Sequence, residues 1–244
     1  MSAYVSLAPY YDSLMPARVY AAWADCCDAL FRERNLHTVL DLACGTGTLT
    51  WLLAERGYEM IGTDLSCDML AAAMGKLGRY EVREQPLFLQ QAAQSLDLYG
   101  TVQAAVCSMD GMNYLSPALL REAVRRVKLF LEPGGVFLFD LHTPEKLHGM
   151  DGRAFTSESE QAFCVWNASC PGESTVCTYD ISLFIREGKR WRREDETHRE
   201  YVHAPEELRA LLLETGFRSA EILGGLPLRE RRQADERLFF LCET

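Results

Sequence analysis

The sequence predicts an α/β protein built on a doubly wound, mostly parallel seven-stranded sheet. Three observations support this prediction: apolar runs alternate with segments of helical spacing, a glycine-rich turn follows the first run, and helical spacing returns near the C-terminus. The first five apolar runs lie at 38–42, 59–63, 87–90, 102–107 and 135–141. Helices between successive strands require parallel pairing with right-handed crossovers, which gives a doubly wound sheet.

The helices follow from apolar residues at helical spacing. Residues 16–34 have this spacing, with Pro16 in the first turn and Trp23 on the apolar face, and we interpret 1–34 as an N-terminal helical lid. The other segments with helical spacing lie at 47–56, 66–78, 117–131 and 204–216. Apolar runs near 217–223 and 237–242 complete the predicted sheet.

Residues 153–202 interrupt this alternation. They lack helical periodicity, are rich in Thr, Val, Tyr, Trp and Phe, and contain turns at 171–172 and 187–188. This pattern predicts about three antiparallel strands. The predicted organisation is therefore one α/β domain over 1–142 and 204–244, with an antiparallel β insertion over 143–203 after the fifth strand.

Composition limits the class of protein and its partners. A chain of 244 residues with 48% hydrophobic content can bury a full core as one domain. The formal net charge of −10 disfavours broad attraction to nucleic acid or to anionic membranes. No apolar run approaches the ~20 residues that a membrane helix needs, and the start resembles no secretory signal. We therefore expect a cytoplasmic protein, as a monomer or a homodimer.

The nine cysteines are scattered along the chain. In a core of this size they are expected to be free thiols in a reducing compartment. Neither the adjacent Cys26 and Cys27 nor the series Cys164, Cys170 and Cys177 has the two-residue gaps of a zinc knuckle. The sequence thus predicts no metal site.

A glycine turn with two flanking carboxylates is the main functional signal. Asp41 ends the first strand, Gly45 and Gly47 follow it, and Asp64 ends the second strand. In open α/β sheets ligands bind at this edge, where glycine lets the backbone approach them. The third glycine of a dinucleotide turn is replaced by Thr50, and a carboxylate would repel a pyrophosphate. The pattern favours a nucleoside-like ligand with positive charge, although each acid alone also suits an ordinary helix cap.

These residues resemble the first motif of the class I S-adenosylmethionine-dependent methyltransferases, and Asp64 with its neighbours is similar to the second. The resemblance covers the α/β domain and implies the Rossmann-like methyltransferase fold, S-adenosylmethionine as cofactor and methyl transfer as the reaction. It implies that Asp64 bonds the ribose hydroxyls and that Leu65 touches the adenine. The cofactor-binding residues it implies are Tyr11, Asp41, Ala43, Gly45, Gly47, Asp64, Leu65, Ala92, Ala93 and Ser108.

The chain departs from the family pattern at two places. Ala43 stands where many members have glycine. Ala92 and Ala93 stand where an acidic residue often bonds the adenine amino group. Either backbone groups replace that contact, or cofactor affinity is lower by about 1.5–3 kcal/mol, the contribution of one charge-assisted hydrogen bond.

Methyl transfer needs an aligned acceptor and the exclusion of water, and a base where the acceptor loses a proton. The candidate catalytic residues are Tyr11 and His142, with Asp140, Asn113 and Tyr114 as further groups at the same edge of the sheet. Packing in the lid is an equal alternative for Tyr11. A contact with loop backbone is the favoured alternative for His142.

Three functions fit the sequence, and they differ in the acceptor. In the related bacterial small-molecule branch, an insertion after the fifth strand roofs the acceptor site, which implies a small-molecule acceptor. One alternative is an RNA or protein methyltransferase that docks through the basic hairpin 186–193, although the acids at 194–196 favour a charge-paired, solvated hairpin. Another alternative is a non-catalytic module that binds S-adenosylmethionine.

Overall fold

The structure is a computed structural model that describes residues 4–244, so the first three residues of the predicted lid lie outside the described part. The strands are β1 (Thr38–Leu42), β2 (Glu59–Asp64), β3 (Leu87–Gln90), β4 (Val102–Cys107), β5 (Leu131–His142), β6 (Ala154–Glu158), β7 (Ala162–Ser169), β8 (Val176–Glu187), β9 (Arg190–Tyr201), β10 (Ser219–Gly224), β11 (Arg229–Glu230) and β12 (Arg237–Glu243). The helices are α1 (Tyr11–Leu14), α2 (Ala17–Arg34), α3 (Thr48–Glu55), α4 (Cys67–Met74), α5 (Pro117–Phe130), α6 (Pro144–His148) and α7 (Pro205–Glu214).

The larger sheet confirms the predicted α/β architecture. Its strand order is β11-β10-β12-β5-β4-β1-β2-β3, and the pairs among β1 to β5 are parallel. It has eight strands rather than seven, because the two-residue β11 pairs with β10 at the edge. A two-residue strand is too short to show the alternation of apolar and polar residues that predicts a strand. The carboxyl ends of β1 to β5 therefore lie at one edge of the sheet.

The last strand brings its first residue to the same edge. Because β12 runs antiparallel to β5, Arg237 lies opposite His142. Side chains of β5 alternate between the two faces of the sheet: Phe137 and Phe139 join the core under α5 and α7, and Leu138 joins the core under α2 and α3. Trp23 of α2 is 1% exposed and packs on Phe239, which confirms its predicted place in the core.

The insertion is a separate sheet of four antiparallel strands in the order β6-β7-β8-β9. The prediction of about three strands was wrong, because β6 is largely exposed and lacks the apolar stripe that would mark a strand. One face of the sheet packs Tyr179, Ile181 and Leu183 in a core shared with Leu7 and Leu14 of the N-terminal segment. The insertion is therefore joined to the lid through an apolar core.

The prediction that all cysteines are free thiols was wrong for two of them. Cys170 and Cys177 form a disulfide across the turn between β7 and β8, where their Cα atoms are 4.3 Å apart. The register that pairs Ser169 with Thr178 places these cysteines opposite each other just beyond the ladder.

Within residues 4–244, no helix combines the length and hydropathy of a membrane span.

Candidate functional site

The glycine turn at residues 43–47 has an open side and a closed side. Ala43, Gly45 and Gly47 all have positive φ, at 55°, 54° and 67°. A Cβ added at Gly47 would lie 2.9 Å from Cβ of Ala73, whereas one at Gly45 would have nothing within 4 Å. The turn thus packs on α4 at Gly47 and leaves open space beside Gly45.

Asp64 is held beside this turn by backbone N–H groups. The Gly45 N–H donates to Oδ2 and the Ser66 N–H donates to Oδ1, both at 2.8 Å. Burial raises the pKa of Asp64 above its ordinary value, and these N–H groups act against that shift. Since a carboxylate oxygen can accept two hydrogen bonds, each oxygen of Asp64 can still accept one from a ligand.

Apolar surface lies next to Asp64. Leu65 is 65% exposed, unusual for a leucine that directly follows a largely buried strand. The end of β3 is paired with Asp64 through Gln90, and its continuation leads into Ala92 and a short 3-10 helix that begins at Ala93. An exposed apolar residue therefore follows Asp64 directly, and two small alanines follow the strand that pairs with it.

Asp41 lies deeper, at 1% exposure. Its Oδ2 accepts from the Thr50 hydroxyl of α3 at 2.6 Å, whereas the N-cap of α3 is Gly47 and has no side-chain cap, so Asp41 does not cap this helix. Its Oδ1 has no hydrogen-bond partner among residues 4–244. Burial raises the pKa of Asp41 to about 7, against the hydrogen bond from Thr50. One buried carboxylate oxygen at the turn thus has no donor among the described residues.

These features fit the cofactor implied by the sequence motifs. A nucleoside with a cationic amino group needs acceptors for hydroxyl and ammonium protons and an apolar surface for a base. Asp64, the free oxygen of Asp41 and the exposed Leu65 provide them around the open backbone of Gly45.

The lid is attached to the glycine turn by hydrogen bonds and an ion pair in which the lysine is buried and the aspartate is exposed. Asp12 of α1 accepts from the hydroxyls of Thr46 and Thr48 at 2.6 and 3.1 Å, and lies 2.5 Å from Nζ of Lys76. The neighbouring Tyr11 contacts Tyr4 edge to face, with ring centroids 5.7 Å apart. Burial raises the pKa of Tyr11 to about 12. Its phenol is therefore neutral near pH 7.

A second group of polar side chains lies at the ends of β4, β5, β9 and β12. We call Asp110, Asp140, His142, Glu200 and Arg237 the charged cluster. Arg237 Nη2 donates to Oδ1 of Asp110 and to Nε2 of His142, both at 2.7 Å, and its Nη1 donates to Asp140. His142 Nδ1 lies 3.4 Å from Oε2 of Glu200. Three carboxylates, one imidazole and one guanidinium thus share one site.

Charge within the cluster sets its protonation. Burial lowers the pKa of His142, but the carboxylates of Asp110 and Glu200 outweigh burial and raise it above its ordinary value. Burial acts to raise the pKa of Asp110, and His142 and Arg237 bring it below its ordinary value. Asp140 is fully buried, which raises its pKa against the effect of Arg237. The pKa of His142 is therefore expected to lie above that of an ordinary histidine.

The loop after β4 is strained where it enters the cluster. Ser108 is half-buried, and the next two residues, Met109 and Asp110, have φ of 59° and 56° although neither is glycine. The Asp110 N–H donates to Asp140 Oδ1 at 3.1 Å, which holds this conformation. Strain of this kind is typical of functional loops.

Aromatic rings cover the charged cluster. The hydroxyls of Tyr4 and Tyr114 are 2.6 Å apart, and Tyr4 packs on His198 of β9 at 4.3 Å between ring centroids. The Tyr179 hydroxyl donates to Glu200 at 3.4 Å. The N-terminal segment and the insertion thus close over the cluster together.

Asn113, Asp140 and His142, predicted to lie at this edge of the sheet, make different contacts in the structure. Asn113 is fully buried and donates to the Tyr201 carbonyl while accepting from the His142 N–H, so it joins the insertion to the sheet. Asp140 is engaged by Arg237. The His142 side chain contacts Glu200 and Arg237 rather than loop backbone, contrary to the alternative favoured from sequence.

Sequence reasoning did not identify Asp110, Glu200 or Arg237 as site residues. Asp110 follows β4 at the carboxyl edge of the sheet, and this position was the one available signal. Glu200 and Arg237 lie in strands whose place at this edge depends on pairings far apart in the chain.

The basic hairpin carries its own counter-charges. Arg192 pairs with Glu187 at 2.8 Å and also with Glu194, and Arg193 pairs with Asp195 at 2.9 Å. These side chains are 37–59% exposed. The contacts agree with the charge-paired, solvated hairpin favoured from the sequence.

Comparison with known proteins gives consistent matches. Residues 39–135 match a family described as a methyltransferase domain. The putative methyltransferase YqeM of Bacillus subtilis (strain 168) is 32% identical over 244 residues, covering 98% of this chain and 96% of that protein.

Solved structures extend the likeness to the fold. An S-adenosylmethionine-dependent methyltransferase from Clostridium acetobutylicum ATCC 824 has a TM-score of 0.85 at 27% identity, over 99% of both chains. CalS10 from Micromonospora echinaspora, an amino pentose methyltransferase solved with S-adenosylmethionine bound, has a TM-score of 0.74 at 22% identity, over 100% of this chain and 98% of that one. At that identity, the second likeness concerns the fold alone.

Proposed function

Since this chain belongs to the class I S-adenosylmethionine-dependent methyltransferases, we propose that it methylates a small molecule whose accepting atom binds at the charged cluster. The enclosure of the cluster is the observation that supports this acceptor class. The side chains of Asp110 and His142 are each 15% exposed and that of Glu200 is 7% exposed. A site this enclosed admits a small ligand or a flexible group more readily than a folded macromolecule.

The covering elements support the same proposal. Tyr4 and Tyr114 join over the cluster, and the insertion contributes Glu200 to it. The fold is shared with an amino pentose methyltransferase, so this architecture accommodates a small acceptor. The arginines of the hairpin are paired with their own acids, and this gives no support to RNA docking there.

The glycine turn and the charged cluster would have separate roles. Asp64, Leu65 and the turn at Gly45 would hold the nucleoside, and Asp41 would receive the amino group. The bound cofactor supplies a methyl group on a cationic sulfonium, which makes that carbon electrophilic. The charged cluster would orient the acceptor and take up its proton, and the aromatic cover would exclude water.

Calorimetry and product analysis test the proposal. We expect S-adenosylmethionine to bind, and the low-molecular-mass fraction of a cell extract to support formation of S-adenosylhomocysteine and a metabolite heavier by one methylene unit. No heat of binding at high-micromolar cofactor would contradict the cofactor site. Product formation only with the RNA or protein fraction would contradict the small-molecule acceptor.

A further inference from the structure

His142 is held on both ring nitrogens, which defines its protonation. The guanidinium of Arg237 can only donate, so Nε2 of His142, at 2.7 Å from Nη2, accepts this hydrogen bond through its lone pair. The single ring proton of the neutral imidazole is then on Nδ1, the nitrogen that faces Glu200 at 3.4 Å. A carboxylate behind Nδ1–H with a lone pair in front is the arrangement of a supported general base.

Glu200 is itself fixed and almost enclosed. Its side chain is 7% exposed, and Oε2 accepts from the Tyr179 hydroxyl at 3.4 Å as well as facing His142. It lies on β9, one residue before the Tyr201 carbonyl that Asn113 binds, and Asn113 also holds the His142 backbone N–H. The backbones that carry the carboxylate and the imidazole are therefore linked through one asparagine.

From this geometry we propose that Glu200 is a positioning residue that holds His142 as the base for the acceptor's proton, an inference that rests on the proposed function. The acceptor's N–H or O–H replaces the Arg237 N–H as the donor to Nε2. The bond between the proton and the acceptor atom breaks as the Nε2–H bond forms, and the electron pair stays on the acceptor atom. That pair forms the new bond to the methyl carbon, while the electrons of the broken carbon–sulfur bond stay on sulfur, which becomes a neutral thioether.

Carboxylates on two sides stabilise the imidazolium that results, against the charge of Arg237. Its Nδ1–H faces Glu200, and Nε2 lies 3.8 Å from Oδ1 of Asp110. The charged and titratable groups that face the ring or its immediate partners are Tyr4 and Tyr11 of the N-terminal segment, Asp110 and Tyr114 after β4, Asp140 of β5, Tyr179 of β8, Glu200 of β9, and Glu236 and Arg237 at the start of β12. Glu200 is the group among them that accepts a hydrogen bond from Nδ1–H.

The first test is a pH titration of the cofactor-free protein followed by NMR of the histidine rings, with His142 assigned by comparison with His142→Gln. In the wild type we expect the neutral ring of His142 to carry its proton on Nδ1. In Glu200→Gln the loss of the carboxylate should lower the pH of the His142 transition by about one unit. Glu200→Asp, which keeps the charge, should move it less.

The second test follows the rate of S-adenosylhomocysteine formation with the low-molecular-mass extract fraction across pH. A base acts in its unprotonated form, so the rate should rise with pH through the His142 transition. Glu200→Gln should move this rise to lower pH and reduce the plateau about tenfold or more, since the ring loses its orienting partner. A residue with only a structural role would lower the plateau without moving the rise.

Glu194→Gln is the matched control, because it makes the same change on the same strand, at a side chain that pairs with Arg192 at the surface. It should leave both the transition and the rate profile unchanged. If Glu200→Gln shifts the NMR transition of His142 but not the pH profile of the rate, His142 is not the base. If folded Glu200→Gln leaves the NMR transition unshifted, Glu200 does not position His142. If the wild type forms no S-adenosylhomocysteine with any fraction, the proposed function fails first.

Discussion

The two ends of the functional edge are built in different ways. Over β1 and β2, the glycine turn and Asp64 come from residues 41–65 and are held largely by backbone N–H groups. Over β5 and β12, the charged cluster joins side chains that are far apart in the chain: Arg237 is 127 residues from Asp110, and Glu200 is 58 residues from His142. The first end is local and rigid, whereas the second depends on tertiary pairing of charges.

This difference predicts different responses to substitution. At the glycine turn, backbone geometry survives the loss of a carboxylate, so ligand affinity should change more than stability. In the charged cluster, removal of the single guanidinium leaves buried carboxylates without their partner, so stability should change most. Substitutions at either end can therefore test this difference between the glycine turn and the charged cluster.

Arg237→Ala should have the largest effect. Asp140 is fully buried and Asp110 is 15% exposed, and both accept hydrogen bonds from this guanidinium. Loss of one partner of a buried pair costs about 3–5 kcal/mol, which urea unfolding at pH 7 would measure. Without the arginine the folded-state pKa of Asp140 lies further above its unfolded value, so the deficit should grow as pH rises and shrink at acidic pH.

Arg218→Ala is the control for this variant, because Arg218 is 74% exposed and pairs with Glu243 at 2.6 Å. A surface pair of this kind contributes at most about 1 kcal/mol. Equal losses in the two variants would mean that the charged cluster is no more dependent on pairing than the surface, and the contrast between the two ends would disappear.

Asp64→Ala tests the glycine-turn end. We expect at least a tenfold loss of affinity for S-adenosylmethionine, because the ribose hydroxyls lose an acceptor that backbone N–H groups hold in place. Calorimetry measures the affinity, and circular dichroism checks that the fold is intact. Asp68→Ala, in the first turn of α4, is the matched control. Unchanged affinity in folded Asp64→Ala would contradict the ribose assignment.

The same contrast explains how much could be predicted from the sequence. Asp41, Gly45 and Asp64 belong to consecutive elements, so spacing alone placed them at one edge, and the parallel order of strands followed from alternation. Arg237 reaches His142 only because β12 inserts antiparallel beside β5, and no local pattern encodes that register. Glu200 reaches it only through the packing of the insertion. The left-handed conformation of Met109 and Asp110 is likewise held by a tertiary hydrogen bond to Asp140.

Asp41→Asn should have the smallest effect on cofactor affinity and refines the contrast within the glycine-turn end. Asparagine keeps the shape and an acceptor for the Thr50 hydroxyl but removes the charge, so the loss of affinity should be less than that for Asp64→Ala. The pKa of Asp41 in the folded protein, about 7, lies above its ordinary value, so the folded state binds more protons and the wild type loses stability as pH rises from about 4 to 7.

Asparagine does not ionise, so the variant does not lose stability in this way as pH rises. In the cofactor-free protein, Asp41→Asn should therefore be more stable than the wild type at pH 8, and the two should converge near pH 4, as thermal unfolding at both pH values would show. A variant that is less stable than the wild type at pH 8 would mean that the ionised Asp41 is already stabilised by the protein. The free oxygen under the turn would then have no need of a cationic amino group, and the charge argument for its role in cofactor binding would fail.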